Sequence, residues 1–358
     1  MKYEIVQLLK EAAPGYVSGG ELGRRFCISR TAIWKHIEEL RQEGYSIEAS
    51  SRKGYRLIPT DDKLNSYEIA RDLGTKIVGQ EVQFFDTIDS TNNYAKKLAA
   101  GDCVDGMSVV AGQQISGRGR LGREWASPSD KGIYITIVLR PDIAPAQTQT
   151  LTLVTAVATV KAISKVTGIQ LGIKWPNDLV IDGKKVCGIL LEMSSEADRV
   201  NYIVIGIGIN YSQNVEDFPL ELRNRAISLK MAIRAMNTAS KAKEADETLK
   251  TYEYRTNDTG IDPSGTISRL SVIRSLLREM DEAYRLVLDG RQDEILDLWR
   301  EYSVTIGKEV RFVLRDIEYT GIAVDITPDG RLAVDCSDGI RRELYSGEVS
   351  VRGIYGYI

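Results

Sequence analysis

Seven consecutive residues, Gly117-Arg118-Gly119-Arg120-Leu121-Gly122-Arg123, alternate three glycines with three arginines. Glycine lets a backbone approach a ligand closely and adopt positive φ. Arginine adds a permanent charge and a fork of donors matched to carboxylate or phosphate. With Gln113 and Gln114 just before and Trp125 just after, the stretch has the makings of a mobile flap that closes over an anion. A short Gly/Arg run is equally compatible with a solvated basic turn. The rest of the chain has to decide between them.

The elements that would position this loop are short strands and caps. Met107 to Ala111 is an apolar strand leading into it, and Gly132 to Leu139 a second strand stopped by Pro141. Asp89-Ser90-Thr91-Asn92-Asn93 opens a helix, with Ser90 and Thr91 as natural N-cap residues. Gln147 to Val166 reads as a long helix buried against a sheet. Lys174-Trp175-Pro176-Asn177-Asp178 follows an apolar strand, and Pro176 biases Trp175 toward extended geometry. Asp182-Gly183 is a strong hairpin signal between Leu179–Ile181 and Val186–Glu192, with Lys184 and Lys185 just past it. Tyr202 to Asn210 is one more strand, whose Gly206 and Gly208 admit a close neighbour. Hairpin-linked strands with segregated helices predict an α+β fold built on a mainly antiparallel sheet. No Gly-x-Gly-x-x-Gly opens a helix after a first strand and there is no Walker A sequence, which disfavours Rossmann and P-loop nucleotide sites.

The first sixty residues have a different character. They hold ten Lys/Arg against seven Glu, so they are basic, whereas the whole chain of 358 residues has a net charge of −3. Ile5, Leu8 and Leu9 recur at helical spacing. Ser18 with Glu21 is a capping box, and Ser29 can N-cap a longer helix ending at Gly44. On that helix Ile33, Trp34, Ile37 and Leu40 are expected on one apolar face. Two helices joined by a tight turn, followed by alternating segments around Arg52-Lys53-Gly54, predict a winged helix-turn-helix over residues 1–60. Ser29, Arg30, Thr31, Lys35 and His36 on the helix, with Arg52 and Lys53 on the wing, are the expected DNA contacts. A three-helix interaction domain that binds no DNA is the alternative. Pro59 to Asp62 reads as a linker.

Hydrophobic content of 43% and charged content of 27% are ordinary for globular chains, and the length favours two or three domains. Four scattered cysteines with no CxxC predict free thiols in a reducing compartment, taken as the cytoplasm. A single histidine, His36, argues against a His-based metal site or a Ser-His-Asp triad. No segment is expected to reach the ~20 apolar residues of a membrane span.

Gln113 to Trp125, the Lys-Trp-Pro-Asn-Asp stretch, Lys185-Val-Cys-Gly-Ile-Leu and Gly206-Ile-Gly-Ile-Asn210 occur in that order, each beside a strand. Together they resemble the biotin–protein ligases, in the bifunctional class with a winged helix-turn-helix in front. The resemblance implies a core similar to class II aminoacyl-tRNA synthetases over residues 65–304 and an SH3-like barrel over 305–358. It implies ATP-dependent activation of biotin to biotinyl-5′-adenylate, then transfer to one lysine of a biotin carboxyl carrier protein. Ser90, Thr91, Asn92 and Gln114 would contact biotin, joined by Gly119 of the flap. Gly188 and Gly208 would leave room for its bicyclic ring. Arg118, Arg120, Lys185 and Asp178 would carry the chemistry. Arg123, Trp125, Asn177 and Asn210 would meet the nucleotide, with Trp125 near the adenine. No dedicated metal site is implied: Mg²⁺ would arrive on ATP, with Asp178 as its one candidate ligand. The partners implied are the carrier protein, operator DNA upstream of biotin genes and a second copy of the chain when the adenylate is bound.

Two alternatives remain at this point, a biotin-sensing repressor with weak catalysis and a lipoate or octanoyl ligase on a similar core. Residues from about 232 to 265 lack apolar periodicity and read as a polar insertion. After Gly307 short strands punctuated by Asp329-Gly330, Asp338-Gly339 and Ser346-Gly347 match the implied barrel. That barrel would help close the site or dock the acceptor, or serve as a structural cap.

Overall fold

The computed structural model describes the chain apart from residues 59–63, 197, 245–266, 346–351 and 354–358. The expected linker 59–62 and the Ser346-Gly347 turn lie outside the described residues. By contacts the chain divides into two units, Met1–Arg71 and Asp72–Ile358.

The first unit contains α1 (Lys2–Glu11), α2 (Gly19–Phe26), α3 (Arg30–Gln42), β1 (Ile47–Ser50), β2 (Gly54–Leu57) and α4 (Ser66–Ala70). Its caps are those the sequence announces. Ser18 Oγ accepts from Glu21 N at 3.1 Å and Ser29 Oγ from Ala32 N at 3.2 Å, each satisfying an orphan N–H of a first turn. Strands β1 and β2 form an antiparallel hairpin with Ile47 opposite Leu57. Gly54 (φ +102°) lies so close to Val17 that an added Cβ would stand 2.2 Å from its carbonyl oxygen, so glycine is required there. Ile5, Leu9, Leu22, Ile33, Ile37 and Leu40 form the core. Trp34 does not join them: it is 52% exposed. Helix α4 belongs here too, because the buried Glu68 accepts from Tyr45 Oη at 2.8 Å and Lys10 Nζ at 2.6 Å. The contact boundary therefore falls after Arg71, later than the expected 60–65.

The second unit is built on a seven-stranded sheet among the described residues. Its strands are β3 (Val82–Ile88), β4 (Ser108–Gln114), β5 (Gly132–Leu139), β6 (Gly172–Lys174), β7 (Asp178–Ile181), β8 (Lys184–Glu196) and β9 (Arg199–Asn210). The order is β3-β4-β5-β9-β8-β7-β6, antiparallel except for the parallel pair β3–β4. The mainly antiparallel expectation holds. The one parallel pair arises because α5 (Thr91–Ala99) carries the chain from the end of β3 back to the start of β4. Asp182 and Gly183 both adopt positive φ in the β7–β8 turn, as a two-residue hairpin requires.

Helix α5 packs on β4, β5 and β9, with Ala95, Ala99, Met107, Val109, Val138 and Val204 in one cluster. Helix α6 (Thr148–Thr167) covers β6, β7 and β8. One helix among the described residues, Pro145–Thr167, is long and apolar enough to cross a membrane, contrary to expectation. However, 83% of its apolar stretch is buried inside the protein, as a core helix requires. Helix α7 (Leu229–Glu244) replaces the first part of the expected polar insertion, and residues 245–265 lie outside the described residues. Helices α8 (Arg269–Leu288) and α9 (Gln292–Tyr302) pack on α6. The chain ends in an antiparallel sheet, β10 (Glu309–Leu314), β11 (Ile317–Ile326), β12 (Leu332–Cys336), β13 (Arg341–Leu344) and β14 (Arg352–Gly353), ordered β13-β12-β11-β10-β14. Its β11–β12 turn is tied to the core. Gly330 O accepts from Gln149 Nε2 at 2.6 Å and from Trp175 Nε1 at 3.2 Å.

Candidate active site

A cleft of about 560 Å³ opens over the ends of β4, β8 and β9, within the range of small-ligand sites. Its floor is made by cross-strand glycines. Gly188 on β8 pairs with Gly208 on β9, and the Trp125 indole lies close against both. An added Cβ would stand 2.9 Å from Trp125 Cζ3 at Gly188 and 2.6 Å from Trp125 Cε2 at Gly208. The room expected there for a bicyclic ring is thus filled by Trp125 itself, which was expected beside an adenine. Steric absence at two glycines makes this an apolar slot. Which flat group takes it depends on where Trp125 stands.

One wall is a polar chain rooted in the N-terminus of α5. Ser90 Oγ caps that helix, accepting from Asn93 N at 3.4 Å. Thr91 donates through N and Oγ1 to Gln114 Oε1 (2.9 and 3.0 Å), while Gln114 Nε2 donates to Ser127 Oγ at 2.9 Å. Thr136, fully buried, donates to Asn92 Oδ1 at 2.7 Å. Asn92 Nδ2 donates in turn to Glu192 Oε2 at 2.9 Å. Burial works against the charged form of Glu192. Hydrogen bonds from Asn92 and Lys96 outweigh it and hold the carboxyl below its ordinary value. Asn92 thereby fastens α5 to β8.

The cations come from both sides. Lys185 Nζ lies 2.5 Å from Asp178 Oδ1 and 5.2 Å over the Trp125 ring. Arg120 Nη1 donates to Asn177 Oδ1 at 3.0 Å, and Asn177 Nδ2 to Ile189 O at 2.8 Å, so the motif asparagine holds an arginine at the cleft. Burial pulls the Arg120 guanidinium below its ordinary value, with Asp178 opposing. Arg118 is more exposed, donating to Asn93 Oδ1 at 3.0 Å and facing Glu192 Oε1 at 3.5 Å. The Gly/Arg loop is folded as a small hairpin: Trp125 N donates to Gly117 O at 2.9 Å and Gly119 N to Arg123 O at 2.7 Å. Leu121 and Gly122 take positive φ at its tip.

The cleft thus gathers Ser90, Thr91, Asn92, Gln114, Arg118, Gly119, Arg120, Arg123, Trp125, Asn177, Asp178, Lys185, Gly188 and Gly208. Asn210 is the exception. It is buried beside the cleft, where Nδ2 donates to Lys185 O at 3.3 Å, so it supports the lysine backbone rather than facing a ligand. Sequence reasoning missed Arg225 and Arg311 and assigned no role to Lys174, though all three line the cleft. Arg225 arrives because Lys185 N donates to its carbonyl at 2.7 Å; Arg311 arrives on β10. No local sequence signal marks either, since both depend on long-range pairing.

In the first unit Arg30, Thr31, Lys35, Arg52 and Lys53 are exposed. Ser29 is also exposed, with its hydroxyl engaged as the α3 cap. His36 is half-buried, its Nδ1 3.3 Å from Glu39 Oε2 one turn on. The cysteines at 27, 103, 187 and 336 are all free, and burial pushes the Cys187 thiol up. Among the described residues no three His, Cys, Asp or Glu side chains converge to hold a metal.

Comparison with known proteins follows this division. Residues 2–56 match a helix-turn-helix domain model, 84–210 the biotin/lipoate A/B protein ligase family and 305–352 the biotin protein ligase C-terminal domain. The chain is 38% identical over 351 residues to the bifunctional ligase/repressor BirA of Bacillus subtilis, covering 98% of each. It is 30% identical over 336 residues to that of Escherichia coli, covering 94% of this chain and 92% of the other. Among solved structures, the biotin protein ligase of Aquifex aeolicus in complex with biotin and ATP superposes with a TM-score of 0.57 at 26% identity, over 76% of this chain and 98% of that one. The chain belongs to the biotin/lipoate A/B protein ligase family, as one of its bifunctional biotin ligase/repressors with an N-terminal helix-turn-helix domain.

Proposed function

We propose that the cleft joins biotin to AMP and then hands biotin to a lysine of a biotin carboxyl carrier protein. The observation that carries this is the convergence of Lys185, Arg120 and Arg118 on an apolar, glycine-floored slot that residues of the folded Gly/Arg loop also line. In the first step a biotin carboxylate oxygen bonds to the α-phosphorus of ATP and the bond to the β-phosphate oxygen breaks, releasing pyrophosphate. Two anions must meet, so fixed cations are needed to offset their repulsion and the charge developing on phosphorus. Lys185 is aimed by Asp178 and Arg120 by Asn177; both can stand at the α-phosphate. Thr91 and Gln114, with Ser90, present donors and acceptors to the ureido end, while Arg123 and Arg225 lie near the phosphates. The folded loop excludes water from a mixed anhydride that would otherwise hydrolyse. In the second step the acceptor lysine amine attacks the biotinyl carbonyl, AMP leaves, and the amine gives up a proton.

Asp178 is committed to Lys185 by a 2.5 Å contact, and one carboxylate makes no resident metal cage. Mg²⁺ therefore enters as part of the MgATP substrate. The division into residues 1–60, 65–304 and 305–358, with α4 moved to the first, belongs to this proposal, as does a place in the cytoplasm. So does repression, in which the first unit binds operator DNA through Arg30, Thr31, Lys35, Arg52 and Lys53, and biotinyl-adenylate favours a homodimer on a two-fold site.

The test is ATP-dependent transfer of labelled biotin to a purified carrier domain. Transfer of biotin with no transfer of lipoate is expected; lipoate accepted in place of biotin would refute the assignment. A gel shift that strengthens with biotin plus ATP, at stated salt, tests the regulatory half.

A further inference from the structure

Helix α3 carries one large apolar residue on its outward face. Ile33, Ile37 and Leu40 are fully buried, whereas Trp34 is 52% exposed although it sits beside Ile33 in sequence. At ~100° per residue Trp34 lies one turn beyond Arg30 and Thr31 and next to Lys35, all of them exposed. A single exposed apolar side chain is ordinary by itself. Its surroundings are not.

Two acids of α3 and its cap are paired within the unit, Glu38 with Arg41 and Glu43 with Lys2, and Glu39 Oε2 lies 3.3 Å from His36 Nδ1. The exposed bases of α3 and of the β1–β2 wing are not so paired. Arg30, Lys35, Arg52 and Lys53 make no ion pair among the described residues, and Lys53 instead lies 5.6 Å over the Tyr16 ring. An indole is therefore framed by unneutralised cations in the first half of the helix that follows the tight turn. That framing complements a polyanion with an apolar feature at its centre. Duplex DNA offers phosphates at its rims, and in the major groove a thymine C5-methyl group.

We infer that Trp34 is a specificity-determining residue that packs its indole on thymine methyl groups in the major groove. Arg30, Lys35, Arg52 and Lys53 supply the sequence-independent phosphate contacts around it. The inference rests on the DNA-reading role proposed above and deepens it.

The full-length chain, with biotin and MgATP, selects duplexes from a random pool at fixed salt. Each thymine of the selected duplex is then replaced by deoxyuridine, which removes the methyl group alone. One or more replacements lower wild-type affinity about tenfold, and Trp34→Ala lowers affinity for the intact duplex about tenfold. In Trp34→Ala the same replacements have little further effect, because the methyl group's partner is gone. Trp34→Phe keeps part of the affinity. A scrambled duplex binds wild type and Trp34→Ala within about twofold of each other, and their melting curves coincide.

Undiminished affinity of Trp34→Ala for the selected duplex would overturn the inference, as would equal losses on selected and scrambled duplexes. A deoxyuridine penalty that survives in Trp34→Ala overturns it too. If the variant instead loses only ligand-dependent self-association, Trp34 meets a second copy of the chain and the inference fails while DNA reading stands. If wild type enriches no sequence at all, the DNA-reading role itself falls, and the inference with it.

Discussion

The winged-helix unit and the ligase cleft both concentrate arginine and lysine, but they hold them in opposite ways. Around α3 and the wing, Arg30, Lys35, Arg52 and Lys53 are exposed and make no ion pair among the described residues. Around the cleft, Lys185 is pinned to Asp178, Arg120 to Asn177 and Arg118 to Asn93 and Glu192. The difference follows from the two anions. DNA is long and already solvated, so mobile exposed cations can meet its phosphates and release counterions with little ordering in advance. A small mixed anhydride must be met at fixed points during bond formation. Preorganised cations are worth most there, because they need no rearrangement at the moment of reaction.

Four experiments press on that contrast. The largest effect is expected from Lys185→Ala. It removes the pinned ammonium from the proposed site of charge development and should lower adenylate formation about 10³-fold, read by pyrophosphate release. Loss of less than about tenfold would show that pinning is incidental. Next, Arg120→Gly should lower adenylate formation about 10²-fold and let the remainder escape, seen as labelling of bystander proteins by free adenylate. Arg118→Gly, which removes a more exposed side chain, should leak in the same assay but less. Leakage greater from the Arg118 variant would reverse the order of the two arginines.

A smaller effect is expected on the DNA side. Lys35→Ala should weaken binding to every duplex by a similar factor and reduce the salt slope by about one phosphate contact. A sequence-dependent loss would mean that Lys35 reads bases. The smallest effect concerns Glu192. Its carboxyl is held below the ordinary value in the folded chain, so its pairing stabilises the fold above the ordinary carboxylate range. That contribution is lost as pH falls through the lowered value. Glu192→Gln should therefore melt earlier than wild type near pH 7, by about 1 kcal/mol, with the gap closing on acidification. A gap constant with pH would assign the effect to packing.

How far the residues could be read in advance also differs between the two regions. Ser18, Ser29 and Ser90 cap the helices their spacing announces, and Asp182-Gly183 makes its turn, because such features depend on three or four neighbouring residues. Trp34 was misplaced for a related reason. Helical spacing puts a residue within a step of the apolar stripe, but whether it packs inside depends on what α1, α2 and β1 already fill. The first part of the expected polar insertion is helical as α7, and α4 joins the first unit through Tyr45 and Lys10 on Glu68, because tertiary contacts override weak local patterns.

The local order of the chain by itself determined the loop of glycine and arginine, the neighbouring Lys-Trp-Pro-Asn-Asp stretch and the lysine at 185. Those are contiguous residue types whose chemistry needs no partner to be recognised. Only the tertiary structure decided that Asn177 steadies Arg120, that Trp125 lies on Gly188 and Gly208, that Asn210 serves from behind Lys185, and that Arg225 and Arg311 reach the same cleft. Each of those depends on strands pairing across tens to hundreds of residues. Local spacing states which groups a chain can offer, and long-range pairing chooses which of them meet.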